Sequence, residues 1–316
     1  MGTPTLSDRQ KAYSDLHTKW QRVLMPRGDE KGNKKENHPP PDVAQQIDSM
    51  ANEQVWFKTI NTIRSGAGNP TINAHLWDMF LMGYVYRQAF AIRRLIDRDL
   101  NSASLANVVD EIGKHADLLT RDVVVGYDGT PMAMDEPNGS AEWAKDGNGL
   151  SVRGLAWQNY FHWKDRHEAF DRLREGKGVG EDRRPDDRIA DDVLVRMQAA
   201  VRNDATERIR HLCNKGLAHA DLKGVQKGKG PTYNHIDACV RSLVELQQFL
   251  TVDFLCIGSS TVVAVHQDNH FKLLSEPLVP LMEESMYADI WQEHADEMES
   301  WGKTDAFRAR FAMHAD

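Results

Sequence analysis

The chain has little cysteine, no long hydrophobic run and no internal repeat, and each shortage removes a class of protein. Three cysteines, Cys213, Cys239 and Cys256, are an odd number and widely spaced. They do not build a disulfide frame or a metal site and read as buried thiols of a reducing compartment. No stretch of eighteen apolar residues occurs, and no basic–apolar–small leader opens the chain. Neither a membrane span nor secretion is expected, and a cytoplasmic location is. No alternating apolar–polar series is long enough to demand a sheet. Residues 261–265 (Thr-Val-Val-Ala-Val) read equally as a strand or as a buried helix end.

Familiar catalytic patterns are missing as well. There is no His-Glu-x-x-His, and His162 and His167 stand five apart, about 140° around a helix, so they do not converge on a metal. Residues 176–180 are glycine-rich but lack the order of a phosphate loop, and Gly258-Ser259-Ser260 lacks the second glycine of a nucleophile elbow. No metal and no cofactor are expected.

What remains is an ordinary composition, 41% hydrophobic and 27% charged, arranged in helical stripes. Tyr13, Leu16, Trp20 and Val23/Leu24 mark a short helix that ends before Pro26, and a mobile linker is expected to follow to Pro41. Asp42 with Gln45 starts a second helix through Ile60 and Ile63. Leu76, Phe80, Tyr84, Arg87, Ala91 and Leu95 mark a third, and a cap at Ser102 or Ser104 opens a fourth. Trp157, Tyr160, Phe161 and Trp163 begin an aromatic helix whose rings suit core or interface. Leu194 to Leu212 and Ile236 to Phe254 give two further long stripes. Residues 126–150 and 175–188 read as exposed loop insertions. The expected architecture is an all-α bundle with its main body over 42–265, an N-terminal helix and linker over 1–41, and an acidic helical extension over 266–316. The core should pair the helices around 73–98, 190–216 and 235–257.

Charge is uneven. The net −8 gathers beyond residue 282, where nine acids meet Lys303, Arg308 and Arg310, while residues 202–229 carry seven bases against Asp204, Glu207 and Asp221. A positive strip on a near-neutral body can meet RNA, with steep salt dependence. The acidic helix, near 282–301, either caps the bundle with its charges in water or lies on that strip and competes with RNA.

The strip contains Arg208, Arg210, Asn214, Lys215 and His219. On a continuous helix, Arg208, Leu212, Lys215 and His219 would share one face, about 20° apart end to end. Cations, an amide and an imidazole on one surface could orient a phosphodiester and move a proton. The same residues also suit a plain helix C-terminus, where bases are favoured and Gly216 closes the helix.

The segment Cys213-Asn214-Lys215-Gly216-Leu217-Ala218-His219 resembles the Arg-Asn-Lys-x-x-Ala-His signature of HEPN proteins. The helix ending Ala91-Ile92-Arg93-Arg94-Leu95-Ile96-Asp97 with Ser104-Leu105 resembles the first half of the AbiU-type abortive-infection branch. The resemblance implies a helical bundle, a homodimer, and a metal-independent endoribonuclease or toxin with RNA as substrate, serving antiviral defence alongside a cognate antitoxin or defence partner. His219 matches the catalytic His, and Asn214 the polar residue beside the motif Arg. Arg210 and Arg208 are candidates to replace that Arg, and Lys215, Arg93 and Arg94 to bind RNA. Cys213 holds the Arg position itself, and a thiol cannot grip a phosphate. Three readings stay open: the ribonuclease, a catalytically lapsed module binding RNA or a protein, and a structural helical subunit.

Overall fold

A computed structural model of the chain describes residues 6–25, 42–66, 74–137, 152–176, 178–180, 182–217, 231–258, 263 and 284–302. Among them the fold is all-α, and extended pairing is confined to two isolated bridges, Thr120 with Arg188 and Arg174 with Ile189.

Helix α1 (Asp8–Leu24) begins at Ser7, whose hydroxyl accepts from Gln10 N–H while the Gln10 side chain accepts from Ser7 N–H. This reciprocal pair satisfies two backbone donors that a helix start leaves open. Its stripe of Tyr13, His17, Trp20 and Leu24 is buried. Helix α2 (Val43–Gly66) starts where Asp42 Oδ1 accepts from Gln45 N at 2.8 Å. It buries residues on nearly every side, from Val43 and Ile47 through Met50, Ala51, Val55 and Ile63. A helix apolar all round belongs in the middle of a bundle, and α2 lies there.

Helix α3 (Ala74–Leu95) crosses α2 and presents Tyr84, Gln88, Ala89, Ile92 and Leu95 inward. The expected stripe is therefore rotated: Phe80 and Arg87 face solvent, because Ala89 and Ile92, not Arg87 and Ala91, meet the helices beyond. Helix α4 (Leu105–Lys114) is capped by Ser104, whose Oγ accepts from Asn107 N and donates to Asp97 O. A single-turn α5 (Arg121–Val124) leads toward α6 (Val152–Leu173).

The long stripe expected from Leu194 to Leu212 is two helices, α7 (Asp191–Val201) and α8 (Asp204–His211). The break is chemical. Asn203 leaves helical geometry to accept from Thr206 N at 3.0 Å, and Thr206 Oγ1 accepts from Asn203 N at 2.9 Å. A local bond of this kind competes successfully with the helix ladder.

Helix α8 runs into a π-helical turn over Leu212–Leu217, and α9 (Tyr233–Gln248) into a second over Phe249–Phe254. The second ends at Phe254, and the positive φ of Cys256 (52°) and Gly258 (102°) just beyond it keeps the helix from continuing toward Val265. The candidate strand at 261–265 lies outside the described residues apart from Val263, which is buried.

The acidic helix exists as α10 (Glu284–Gly302). Trp291, Ala295, Met298 and Trp301 are buried, and it packs chiefly on α2, then α9. Glu297 takes Lys58 at 3.3 Å and Arg241 at 3.8 Å. Its principal seat is thus the α2–α9 side of the bundle rather than α8. One hydrophobic cluster joins side chains from α1 through α10.

Candidate active site at a π-helical turn

The expected site residues fall on α8, the first π turn and the end of α3. Arg208 pairs with Asp204 at 2.7 Å, and Arg210 Nε donates to Glu207 at 3.0 Å. Both are surface pairs within one helix, worth a few tenths of a kcal/mol each. A phosphate can replace either carboxylate at little cost. Asn214 and Lys215 are exposed on the π turn. His219 lies outside the described residues.

The π turn alters the register on which the sequence expectation rested. Each i→i+5 bond adds a residue to the turn, so α-helical spacing no longer carries Arg208 and Leu212 onto the face of Lys215. Cys213 is the residue turned inward. It is 2% exposed, and its Sγ donates to Ala89 O of α3 at 3.3 Å. Burial pushes the thiol up to about 11, with Arg93 opposing the rise. Cys213 is therefore a neutral packing residue, and the position that the motif reserves for arginine points away from solvent.

Arg93 stands one turn beyond Ala89 on the same side of α3, which brings its charge to the π turn. It also bonds Asp97 at 2.9 Å and is about a quarter exposed. Arg94, about 100° further round the helix, is exposed, and its side chain has no hydrogen bond or ion pair among the described residues. The structure thus brings the charge of Arg93 to Cys213, leaves Asn214 and Lys215 exposed on the same turn, places Arg208 and Arg210 on the preceding helix, and sets Arg94 aside.

Two polar clusters were not visible in the sequence. At the end of α6, Asp171 is fully buried and accepts from Arg121 at 2.6 Å, Arg183 at 2.8 Å and Gly180 N at 2.8 Å. Asp187 accepts from Arg121 at 3.1 Å and Arg174 at 2.8 Å. Within the exposed loop expected over 175–188, the residues at 180, 183 and 187 are tied to α5 and α6 by this network. Burial alone would raise the Asp171 carboxyl, but the bonds from Arg183, Gly180 and Arg121 hold it below the usual carboxylate range.

His167 completes the network. Its Nδ1 lies 3.2 Å from Arg121 Nη1, which can only donate, so the ring is neutral with its proton on Nε2. Burial first, then Arg183 and Arg121, depress it to about 4. Between its ordinary value and about 4 the unfolded chain binds a proton that the folded chain refuses. Stability therefore falls as pH drops through that window and levels off below it. Urea denaturation at pH 7.5 and 5 should show this loss, and His167→Gln should shrink it. An unchanged pH dependence in that variant would show that His167 titrates alike in both states.

The second cluster joins His17, Tyr127, Arg166 and Asp128. His17 Nε2 is 3.3 Å from Tyr127 Oη, Arg166 donates to Tyr127 Oη at 3.2 Å, and Arg166 bonds Asp128 at 2.7 Å. It borders a cavity of about 10 Å³, room for about one water and no substrate. This cluster ties α1 to α6.

Among the described residues no group of three His, Cys, Asp or Glu could hold a metal ion, and no helix is long and apolar enough to cross a membrane. Compared with known families, residues 43–256 match the model of HEPN AbiU2. No curated protein and no solved structure matches the chain.

Proposed function

The chain belongs to the AbiU2 family of HEPN proteins, and on that premise we propose that it is a metal-independent endoribonuclease acting as a toxin in abortive infection against phage. Support comes chiefly from the π turn, where the family signature begins, where Asn214 and Lys215 are exposed, and where the charge of Arg93 reaches Cys213. His219 is the general acid/base on the 2′-hydroxyl or the leaving oxygen. With Cys213 turned inward, the charge that steadies the phosphate comes from Arg93, Arg208 or Arg210. No cofactor is called for. A cognate antitoxin or defence-system protein would restrain the enzyme in the cytoplasm.

Total RNA incubated with the purified chain at low salt, with and without EDTA, tests this reading. Cleavage insensitive to EDTA supports it. A gel shift without cleavage favours the second reading, an RNA-binding module that has lost catalysis, for which the inward Cys213 is the specific support.

Homodimer formation is part of the proposal. On α3, Met79, Met82, Tyr86 and Phe90 fall within about 80° of one another on the outer side, and each is between 37% and 63% exposed. Gly83 borders this arc with open space above it. Such a stripe suits a twofold contact in which each copy offers the same helix. Light scattering should give about twice the 35.8 kDa chain mass, and Tyr86→Glu should return it to the monomer value. A wild-type monomer at all concentrations would end the idea.

A further inference from the structure

On the opposite side of α3 from that stripe, α2, α3 and the first turn of α9 enclose a cleft of about 390 Å³. Its size lies within the range of small-molecule sites, which begins near 300 Å³. The floor is Phe57, and the rings around it are nearly parallel. Tyr84 stacks at 3.9 Å and 2°, Tyr233 at 5.7 Å and 16°, and Trp77 at 6.0 Å and 18°. Phe57 and Tyr84 are buried, whereas Tyr233 is 40% exposed. A flat ring entering the cleft therefore meets aromatic faces already set in one orientation.

The rim is polar and of mixed sign. The Arg64 guanidinium lies 4.2 Å from the Trp77 ring centre, and its Nη2 reaches Asn61 Oδ1 at 3.4 Å. Arg64 Nε is buried with no hydrogen-bond partner among the described residues. Lys58 divides itself between Asp237 at 3.5 Å and Glu297 at 3.3 Å. A purely apolar partner would leave Arg64 Nε unmatched and would cover the charged Lys58–Asp237 pair, at a desolvation cost. A ligand that satisfies the whole cleft needs a flat π face, edge groups that both donate and accept, and a nearby anion for Arg64. A nucleotide has all three.

We infer that this cleft is a subsite for one unpaired base of single-stranded RNA, a step that rests on the ribonuclease reading for its substrate class. Stacking on aromatic rings tolerates every base, since each has a π face. Tyr84 in the cleft and Ala89 beneath the π turn are five residues apart, about 7–8 Å along α3. They are also about 140° apart round the helix, so a strand whose base enters the cleft reaches the π turn by crossing over α3.

The test uses the full-length protein and two probes. Calorimetry would compare 5′-AMP and 5′-UMP with ribose 5-phosphate, and fluorescence anisotropy would follow a labelled ten-nucleotide single-stranded RNA. Both mononucleotides should bind and the sugar phosphate should not. Trp77→Ala should weaken mononucleotide and oligonucleotide alike by at least about fivefold, the lower end of one base–aromatic stack. Trp77→Phe, which keeps a π face, should restore most of the binding. If Trp77→Ala does not fold, Tyr233→Ala, on an exposed ring, takes its place. Ribose 5-phosphate binding as well as AMP would overturn the inference, as would oligonucleotide affinity indifferent to Trp77. EDTA-resistant cleavage with an indifferent Trp77 sinks the cleft alone. Trp77-dependent binding without any cleavage sinks catalysis and leaves the cleft standing.

Discussion

Replacing His219 by alanine is expected to slow RNA cleavage by about 10²–10⁴-fold, the contribution of a positioned general acid or base. The measurement is single-turnover cleavage in EDTA, so that product release and adventitious metal do not enter. Arg93→Ala should follow with a loss larger than that of Arg94→Ala, because Arg93 shares the side of α3 that carries the π turn and Arg94 does not. Cys213→Ala should cost stability rather than rate, since its thiol is neutral and faces Ala89. Full activity in His219→Ala would remove the imidazole from the mechanism and leave the arginines to be explained without it.

The second large effect concerns stability. Asp171→Ala should destabilise the fold by about 3–5 kcal/mol, as expected when one partner of a buried pair is removed and the other charge stays behind. Arg121 is 0% exposed and would keep Asp187 as its one carboxylate, beside the neutral His167 ring. Arg183 would lose its carboxylate too, and the 178–188 segment its anchor on Gly180 N. Urea denaturation at pH 7 reads the change as a lower midpoint. The pH dependence has a definite sign. Asp171 and Asp187 are held below their ordinary values in the fold, so their contribution is complete above that ordinary value and is lost as pH falls through the depressed one. The pH 5 to 7.5 window used for His167 therefore leaves them ionised. A wild-type-like midpoint in Asp171→Ala would mean that the network adds nothing beyond packing.

Helices with a strong one-sided stripe could be read from the sequence, and so could the cap at Asp42 and, as one of two candidates with Ser102, the cap at Ser104, because both signals are local. The family signature was equally local, six or seven residues in a row. What escaped was set by distance or by competition. Arg121, Asp171 and Asp187 come from segments 50 and 66 residues from Arg121, and each looks like a surface charge where it stands. The break at Asn203 escaped because the apolar spacing continues across it while the amide bonds Thr206 N instead. The π turn escaped because the side chains of residues 212–217 carry no periodic mark of it. Its effect on the candidate site was large: α-helical spacing put Lys215 in line with Arg208, and the actual turn hides Cys213 against α3. The aromatic cleft draws on α2, α3 and α9 at once, so only the packed chain could reveal it.

The seat of α10 on α2 has a consequence in time. Lys58 and Glu297 meet across 239 residues of chain, whereas the α3–α4 turn is tied by bonds over five to eight residues. Closing so long a loop is entropically costly and slow beside local pairing. During synthesis α2 emerges with one flank bare, and Trp56 waits for Trp291 to arrive beside it at 4.6 Å. Lys58, on the rim of the aromatic cleft, waits with it. A nascent copy can thus build the helices around the π turn well before α10 arrives to take Lys58 at the rim of the cleft.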